Sequence, residues 1–185
     1  LSQVFPHTLV WITDGSDFAG SLSRDYSEGE IAASREIYGV ASKSAIDREG
    51  IINRISQNPL NPDYINTSIE LVTRPARVLI NSIFQIPVRL TNKGRERLVS
   101  LPPHPVHVLY HWKNSEGKMV VFDGNRTPLS PPLSPGEERL IMVEVKAPEK
   151  PGLYHLELTM VQELSFWFEE IKSFKPVIVH DIMVR

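Results

Sequence analysis

Apolar and polar residues alternate with a period of two over most of the chain beyond residue 66. The segments that show it best are residues 84–90, 106–112, 141–145, 154–160 and 177–184. Successive side chains of a strand point to opposite faces, so each segment predicts a half-buried strand. Turns rich in glycine and proline separate the segments at roughly 8–12-residue intervals, which is typical of a sandwich or barrel.

This spacing predicts a mainly β fold, an immunoglobulin-like β-sandwich over residues 66–185. Pro87 lies inside the first segment, which places that strand near a sheet edge or a bulge. The residues expected between the two sheets are Phe84, Ile86, Val88, Leu90, Ile141, Val143, Val145, Leu156 and Leu158.

Residues 1–65 follow a different pattern and predict an irregular or partly helical N-terminal extension or linker. One short apolar run, residues 8–12, predicts a strand. The apolar groups are few, so we expect this part to lack a core of its own and to pack on the sandwich or on a neighbouring chain. The proline-rich stretch 58–63 reads as the linker between the two parts.

Two helices are predicted within the extension. Ser27 and Glu30 fit a capping box, which predicts a helix over residues 31–38 that ends at Gly39. A second helix is predicted over residues 45–57, where three isoleucines share one face.

Composition excludes several classes of protein. The 185 residues carry a net charge of −2, and no basic stripe suggests nucleic-acid binding. No apolar run is long enough to span a bilayer, so we expect no direct membrane insertion. The chain has no cysteine, which excludes disulfides and Cys-ligated zinc and favours a reducing, cytoplasmic compartment. It begins with Leu1 rather than Met, so we expect a fragment or a processed product.

Aromatic and polar residues gather in the stretch from Tyr110 to Thr127. Tyr110 and Trp112 stand two apart on a predicted strand, and Asp123 and Arg126 follow in a polar loop. Aromatic rings beside carboxylate, amide and guanidinium groups are what a sugar-binding surface requires. Tyr110 and Trp112 also suit a sandwich core, since immunoglobulin-type domains often bury a Trp on the third strand. Asp123 and Arg126 also suit a loop whose side chains hydrogen-bond to its own backbone.

A second aromatic group, Phe166-Trp167-Phe168, precedes two glutamates. Three consecutive aromatic side chains cannot all face one side of a strand, so at least one points away from the core. That ring is a candidate platform for a pyranose or a contact for a partner protein.

Histidines suggest a metal site only superficially. His107 and His111 share a strand face but would lie roughly 13 Å apart, too far to bind one ion together. We therefore expect solvated or capping histidines and no metal or other cofactor. Nucleophile, zinc-protease and phosphate-loop motifs are also absent from the sequence, so we expect no catalysis.

Residues 83–184 resemble the immunoglobulin-like accessory domain found beside bacterial glycosyltransferases and methyltransferases. The segments that carry the resemblance are PVRLTN at 87–92, YHW at 110–112, DG at 123–124, RTPL at 126–129, LSPGE at 133–137, PGLY at 151–154, VQE at 161–163 and WF at 167–168. The domain is similar to the C-terminal carbohydrate-binding domain of ATPase subunits in O-antigen ABC exporters.

The resemblance implies a non-catalytic module of bacterial surface-polysaccharide synthesis or export. The expected partners are a bacterial polysaccharide and a glycosyltransferase, methyltransferase or ABC transporter subunit, with a homodimer as a further expectation. The expected ligand-binding residues are Tyr110, Trp112, Asp123, Arg126, Trp167 and Phe168. A protein–protein docking module and the fragment of an enzyme are the two alternatives.

Overall fold

The computed structural model of the chain describes residues 6–12, 24–34, 37–49, 51, 59–101 and 104–185. The packing divides the chain into two compact units. One contains Leu1–Asn58 and Leu101–Pro103, and the other contains Pro59–Ser100 and His104–Arg185. Leu60 and Ile65, which the sequence pattern assigns to the extension, are buried in the core of the second unit. Within the described ranges, no helix is long and apolar enough to cross a membrane.

The first unit is built on an antiparallel strand pair, β1 (His7–Ile12) and β2 (Ile37–Ser42). The strand predicted at residues 8–12 is therefore confirmed. A short helix, α1 (Glu28–Ala33), lies between the two strands in sequence. The capping box at its N-terminus is also confirmed, because Ser27 Oγ accepts from the Glu30 amide and Glu30 accepts from the Ser27 amide.

The helix predicted over residues 31–38 is wrong at its C-terminal end. Ser34 already has extended backbone angles, and Tyr38 and Gly39 belong to β2. Gly39 pairs with Val10 and is no C-terminal helix cap. Of the helix predicted over residues 45–57, residues 48, 49 and 51 are helical, while residues 50 and 52–57 lie outside the described part of the chain.

The first unit has a small apolar cluster of its own, contrary to expectation. Leu9 and Trp11 of β1 are buried, and the Trp11 ring stacks on Tyr38 with centroids 5.7 Å apart. Tyr26, Val40, Ile46 and Ile51 pack around the two buried residues. Because β1 and β2 both contribute, the pairing of the two strands is what assembles the cluster.

The second unit consists of two sheets whose strands are antiparallel, apart from β4, which pairs with β12 in parallel. Its strands are β3 (Thr67–Leu71), β4 (Arg77–Val78), β5 (Ile83–Asn92), β6 (Val106–Asn114), β7 (Met119–Val121), β8 (Thr127–Pro128), β9 (Glu138–Lys146), β10 (Gly152–Gln162), β11 (Phe166–Trp167) and β12 (Val177–Val184). Short 3-10 helices span Pro62–Tyr64 and Phe168–Glu170.

The strand order is that of an immunoglobulin-like sandwich. The smaller sheet has the order β3-β5-β9, and the larger has β4-β12-β10-β6-β7, with β8 joined to β6 and β11 joined to β10. These orders correspond to strands A-B-E and A′-G-F-C-C′ of an immunoglobulin domain. The predicted fold class, a mainly β immunoglobulin-like sandwich, is therefore confirmed.

The core lies between the two sheets. All nine residues predicted for it are buried, apart from Phe84, which is half-buried and packs against the others. Trp112 donates from Nε1 to the Lys146 carbonyl at 2.9 Å, which satisfies its polar atom inside the core. Tyr154, at the start of β10, donates from its hydroxyl to the Lys150 carbonyl at 3.0 Å. This bond is the tyrosine corner of immunoglobulin-like domains.

Pro87 lies in the middle strand of the smaller sheet and in unbroken register with β9, contrary to the edge or bulge predicted for it. Its carbonyl accepts from the Val72 amide, so its nitrogen also points toward the β3 side. β3 pairs with β5 only as far as Leu71 opposite Val88. The missing N–H of Pro87 therefore faces Val72, the first residue beyond β3, so the donor is lost at the end of the β3–β5 ladder and not inside it.

β12 departs from the simple alternation that its sequence suggests. Tyr154 pairs with Ile182 and Leu156 pairs with Val179, so one residue of β10 faces two of β12. Asp181, with φ of 59°, supplies the extra residue of this bulge. The bulge turns Val179 and Ile182 to the same buried face although they are three residues apart.

The central position of Leu156 leads to a stability prediction. Leu156→Ala should lower the free energy of unfolding by about 2–5 kcal/mol, because it leaves a cavity between the sheets. Leu153→Ala, in the same strand at a partly exposed position, is the matched control and should cost much less. Equal urea-unfolding midpoints for the two variants would contradict the assigned core.

Candidate functional site

Two of the expected ligand-binding aromatics belong to the core. Tyr110 is 2% exposed and Trp112 is fully buried. They stand edge to face with centroids 6.5 Å apart. Neither ring has a face open to a sugar, so the ligand-binding role predicted for these two residues is corrected to a structural one.

The aromatic triplet divides between the two sides of its segment. Phe168 is completely buried and meets Phe174 edge to face inside the core, so it too is removed from the ligand-binding set. Trp167 is half-buried and contacts a different set of rings. The prediction that at least one ring points away from the core is confirmed for Trp167.

Trp167 lies on the outer face of the larger sheet. It pairs with Val161 of β10, and Val161 also pairs with His107 of β6. Directly opposed residues of antiparallel strands point to the same face, so these side chains share that face. The Trp167 ring lies 4.9 Å from Phe122 and 5.3 Å from His111, centroid to centroid. We call Phe122 and Trp167 the aromatic pair.

Phe122 is the more accessible member of the aromatic pair, at 49% exposure. Its ring stacks on His111 with centroids 4.8 Å apart and planes inclined by 13°. His111 itself is fully buried, so of the two expectations, a solvated or a capping histidine, the first is wrong at this position. The aromatic pair therefore covers His111 and leaves part of its own apolar surface open.

A polar network borders the aromatic pair. Arg126 donates from Nε to Glu163 at 2.9 Å and from Nη1 to Asp123 and to the Gly124 carbonyl. His107 donates from Nδ1 to the same Glu163 carboxylate at 3.1 Å. Asp123 and Arg126, both predicted for the site, are thus bonded to each other, and Glu163 is the member that sequence reasoning missed.

The network changes the acidity of its members. Partial burial raises the pKa of Glu163, but the hydrogen bonds from Arg126 and His107 outweigh it, so the net pKa lies below the ordinary value. The hydrogen bond to Glu163 raises the pKa of Arg126 further above its already high value. Glu163 is therefore held as a carboxylate that anchors the loop.

Gly124 fixes the path of the loop that carries Phe122 and Arg126. A Cβ at this position would stand 2.6 Å from the Tyr110 carbonyl oxygen and ring, closer than any real contact. The Gly124 amide donates to that carbonyl at 3.1 Å. Only glycine lets the loop approach β6 this closely. Beside the loop lies a cleft of about 390 Å³, lined by Asp123, Asn125, Lys146 and other residues.

One group of side chains in the described ranges has metal-binding composition. The ligand atoms of His111, Glu157 and Glu169 all lie within 4.8 Å of one another. Glu157 faces His111 across the β6–β10 pair, and Glu169 comes from the 3-10 helix that follows Trp167. The sequence could not bring the three together, because their meeting depends on strand register and on the path of the connection after β11.

Comparisons with known proteins find only distant structural likeness. No protein-family profile matches the chain. No curated protein matches it either. A CARDB domain from Pyrococcus furiosus, crystallised in complex with di-metal ions, is 18% identical, with 65% of this chain and 94% of that chain covered and a TM-score of 0.40. Listeria innocua β-glucosidase in complex with glucose is 13% identical, with 65% of this chain and 16% of that chain covered and a TM-score of 0.40. Pseudomonas fluorescens DNA glycosylase AlkC is 12% identical, with 66% and 30% covered and a TM-score of 0.37. At these scores no function is transferred.

The two tryptophans of the second unit should respond differently to truncation. Trp112→Ala should lower the free energy of unfolding by about 3–5 kcal/mol, because the ring is fully buried. Trp167→Ala, at a half-buried position, should cost clearly less. Urea unfolding followed by circular dichroism checks both values, and a larger cost for Trp167→Ala would contradict the assignment.

The Glu163 network predicts a dependence of stability on pH. The pKa of Glu163 is lower in the folded than in the unfolded state. Ionised Glu163 therefore contributes to the free energy of unfolding above the unfolded pKa, and this contribution is lost as the pH falls through the folded pKa. Between about pH 5 and the acid limit of folding, Glu163→Gln should therefore show a shallower fall in unfolding midpoint than the wild type. The exposed Glu116→Gln serves as the control; identical pH profiles for all three proteins would contradict the role of Glu163.

Proposed function

We propose that the second unit is a non-catalytic carbohydrate-binding module of bacterial cell-surface polysaccharide synthesis or export, of the O-antigen type. The observation that carries the proposal is the aromatic pair, half-open to solvent on one sheet face beside a network of charged side chains. Sugars are recognised by rings that stack on their apolar faces and by polar groups that bond to their hydroxyls. The resemblance of residues 83–184 to polysaccharide accessory domains supports the same class of ligand.

The binding surface proposed here differs from the one expected from sequence. Phe122 and Trp167 form the stacking platform. Asp123 and Arg126 are retained as polar groups, since their side chains are partly exposed although they bond to each other. Asp123 also borders the neighbouring cleft, so a polysaccharide that lies on the aromatic pair reaches polar groups on both sides of the loop.

The surface is small, which suits weak binding to a repeating ligand. One platform contacts one or two sugar rings, and repeated units or a dimer of the module supply the avidity. A cytoplasmic module of this kind would hold the polysaccharide for a glycosyltransferase, a methyltransferase or an ABC transporter subunit. The polysaccharide would be bound and released unchanged.

Glycan retention by single variants tests the proposal. Phe122→Ala and Trp167→Ala should each weaken binding to the source organism's surface polysaccharide by about tenfold or more, the loss that corresponds to roughly 1.4 kcal/mol. Tyr64→Ala, which removes an exposed ring elsewhere in the second unit, is the matched control and should bind like the wild type. Affinity electrophoresis in gels containing the polysaccharide measures all four proteins.

Two outcomes would contradict the proposal. Equal retention of wild type, Phe122→Ala and Trp167→Ala would exclude the aromatic pair as the platform. Shortening of the polysaccharide during the incubation, detected by size-exclusion chromatography, would contradict a non-catalytic role.

A docking module is the second candidate, and it has its own observation. Leu140 and Met142 of β9 are 59% and 44% exposed on the outer face of the smaller sheet. Neighbouring exposed apolar side chains favour a protein partner. Binding of a purified polysaccharide transferase that is lost in Leu140→Glu and kept in Trp167→Ala would favour docking over glycan binding.

A further inference from the structure

His111 is held in a single orientation beneath the aromatic pair. Its Nδ1 is hydrogen-bonded to the carbonyl oxygen of Phe122. A carbonyl can only accept, so Nδ1 carries the hydrogen and Nε2 points the other way. A histidine that binds a metal commonly donates its second ring N–H to a backbone carbonyl in this manner.

Nε2 of His111 faces carboxylates rather than hydrogen-bond donors. Glu169 Oε2 lies 3.2 Å away, and the Glu157 carboxylate completes a triangle whose ligand atoms lie within 4.8 Å of one another. With Nδ1 protonated, Nε2 either carries a second proton that it donates to Glu169 or directs its lone pair at a carboxylate oxygen, which repels it. A cation between Nε2 and the carboxylates removes that repulsion.

A buried hydroxyl on the same sheet face as Glu157 has no partner in the described part of the chain. Thr159 is fully buried, and its Oγ1 makes no hydrogen bond there. Thr159 lies two residues from Glu157 on β10, on the same outer face of the sheet. A buried hydroxyl without a partner is costly, and a water bound to a nearby cation would supply the missing bond.

We propose that His111, Glu157 and Glu169 form a binding site for one divalent transition-metal ion. One imidazole nitrogen and two carboxylates suit Zn²⁺, and coordination positions remain for water. The site would join three separate parts of the second unit: β6, β10 and the 3-10 helix Phe168–Glu170. The ion would thereby hold Trp167 and the 3-10 helix that follows it against the outer face of the larger sheet.

Lys113 gives the proposal a further consequence. Its ammonium forms an ion pair with Glu157 and occupies one side of that carboxylate. A positive charge so close to the site opposes the binding of a cation. Lys113→Met should therefore raise the affinity for Zn²⁺ several-fold, whereas loss of a ligand lowers it.

Titration of the full chain with Zn²⁺ and Co²⁺ provides the test. Half-buried His155 and exposed His180 lie with ring centroids 4.9 Å apart and could bind zinc themselves, so both are replaced by Gln in the background used. We expect one ion per chain by calorimetry, a higher melting temperature in Zn²⁺, and visible absorption bands from bound Co²⁺.

Variants connect these signals to the three ligands. His111→Gln and Glu169→Gln should each weaken Zn²⁺ binding by at least about tenfold. His107→Gln changes a histidine of the same strand face and should bind Zn²⁺ like the background protein. None of the three proposed metal ligands is a residue proposed to contact the glycan, so the loss of metal binding and the loss of glycan binding are measured with different variants.

Three results would overturn the metal site. The first is a melting temperature and calorimetric signal that do not respond to Zn²⁺. The second is unchanged binding in both Glu169→Gln and His111→Gln. The third is a ¹⁵N NMR spectrum in which both ring nitrogens of His111 stay protonated in saturating Zn²⁺, since a proton would then occupy the position assigned to the ion.

Discussion

The pairing of β6 with β10 is the interaction on which the rest of the second unit depends. The register runs from Tyr154 opposite Asn114 to Gln162 opposite Val106. One face of this ribbon supplies the core between the sheets. The other face is covered as well, by the aromatic pair and its neighbours, so polar residues of both strands are buried there. Burying polar groups is costly unless they are bonded, and this explains why histidines and carboxylates on that face occur in contact with each other.

The same constraint makes the proposed binding face rigid before any ligand arrives. The loop after β7 is fixed at three points: Gly124 against Tyr110, Arg126 on Glu163, and the Phe122 carbonyl on His111. A surface ordered in advance loses little conformational freedom on binding. This small loss of conformational entropy matters most for a ligand that makes only weak individual contacts, such as a polysaccharide. Under the proposed function, Asp123 and Arg126 would contact the ligand, whereas Glu163 and the buried His111 would support the surface without touching it.

The sequence predicted the sandwich well because period-two alternation reports directly which residues face the core. The position of Pro87 was predicted wrongly, because the residues of β5 do not indicate where the neighbouring strand β3 ends. The bulge at Asp181 was not predicted. At the site, Trp167 was identified as an outward-facing ring because three consecutive aromatic side chains of a strand cannot all face the core. Tyr110, Trp112 and Phe168 were misassigned, since an aromatic residue suits a core and a sugar platform equally. Glu157 and Glu163 were not identified, and Glu169 was noted only as a carboxylate beside the aromatic triplet, because only tertiary structure brings these residues to His111 and Arg126.

The bond between His111 and residue 122 uses the main chain of Phe122 and not its ring. Position 122 can therefore change its side chain without releasing the histidine beneath it. Under the proposed function, an exchange of Phe122 for Tyr, Trp or a polar residue would alter the sugar that is preferred, while this main-chain bond stays in place. The arrangement separates the side chain that the proposed function assigns to ligand contact from the main-chain bond that holds the loop on β6.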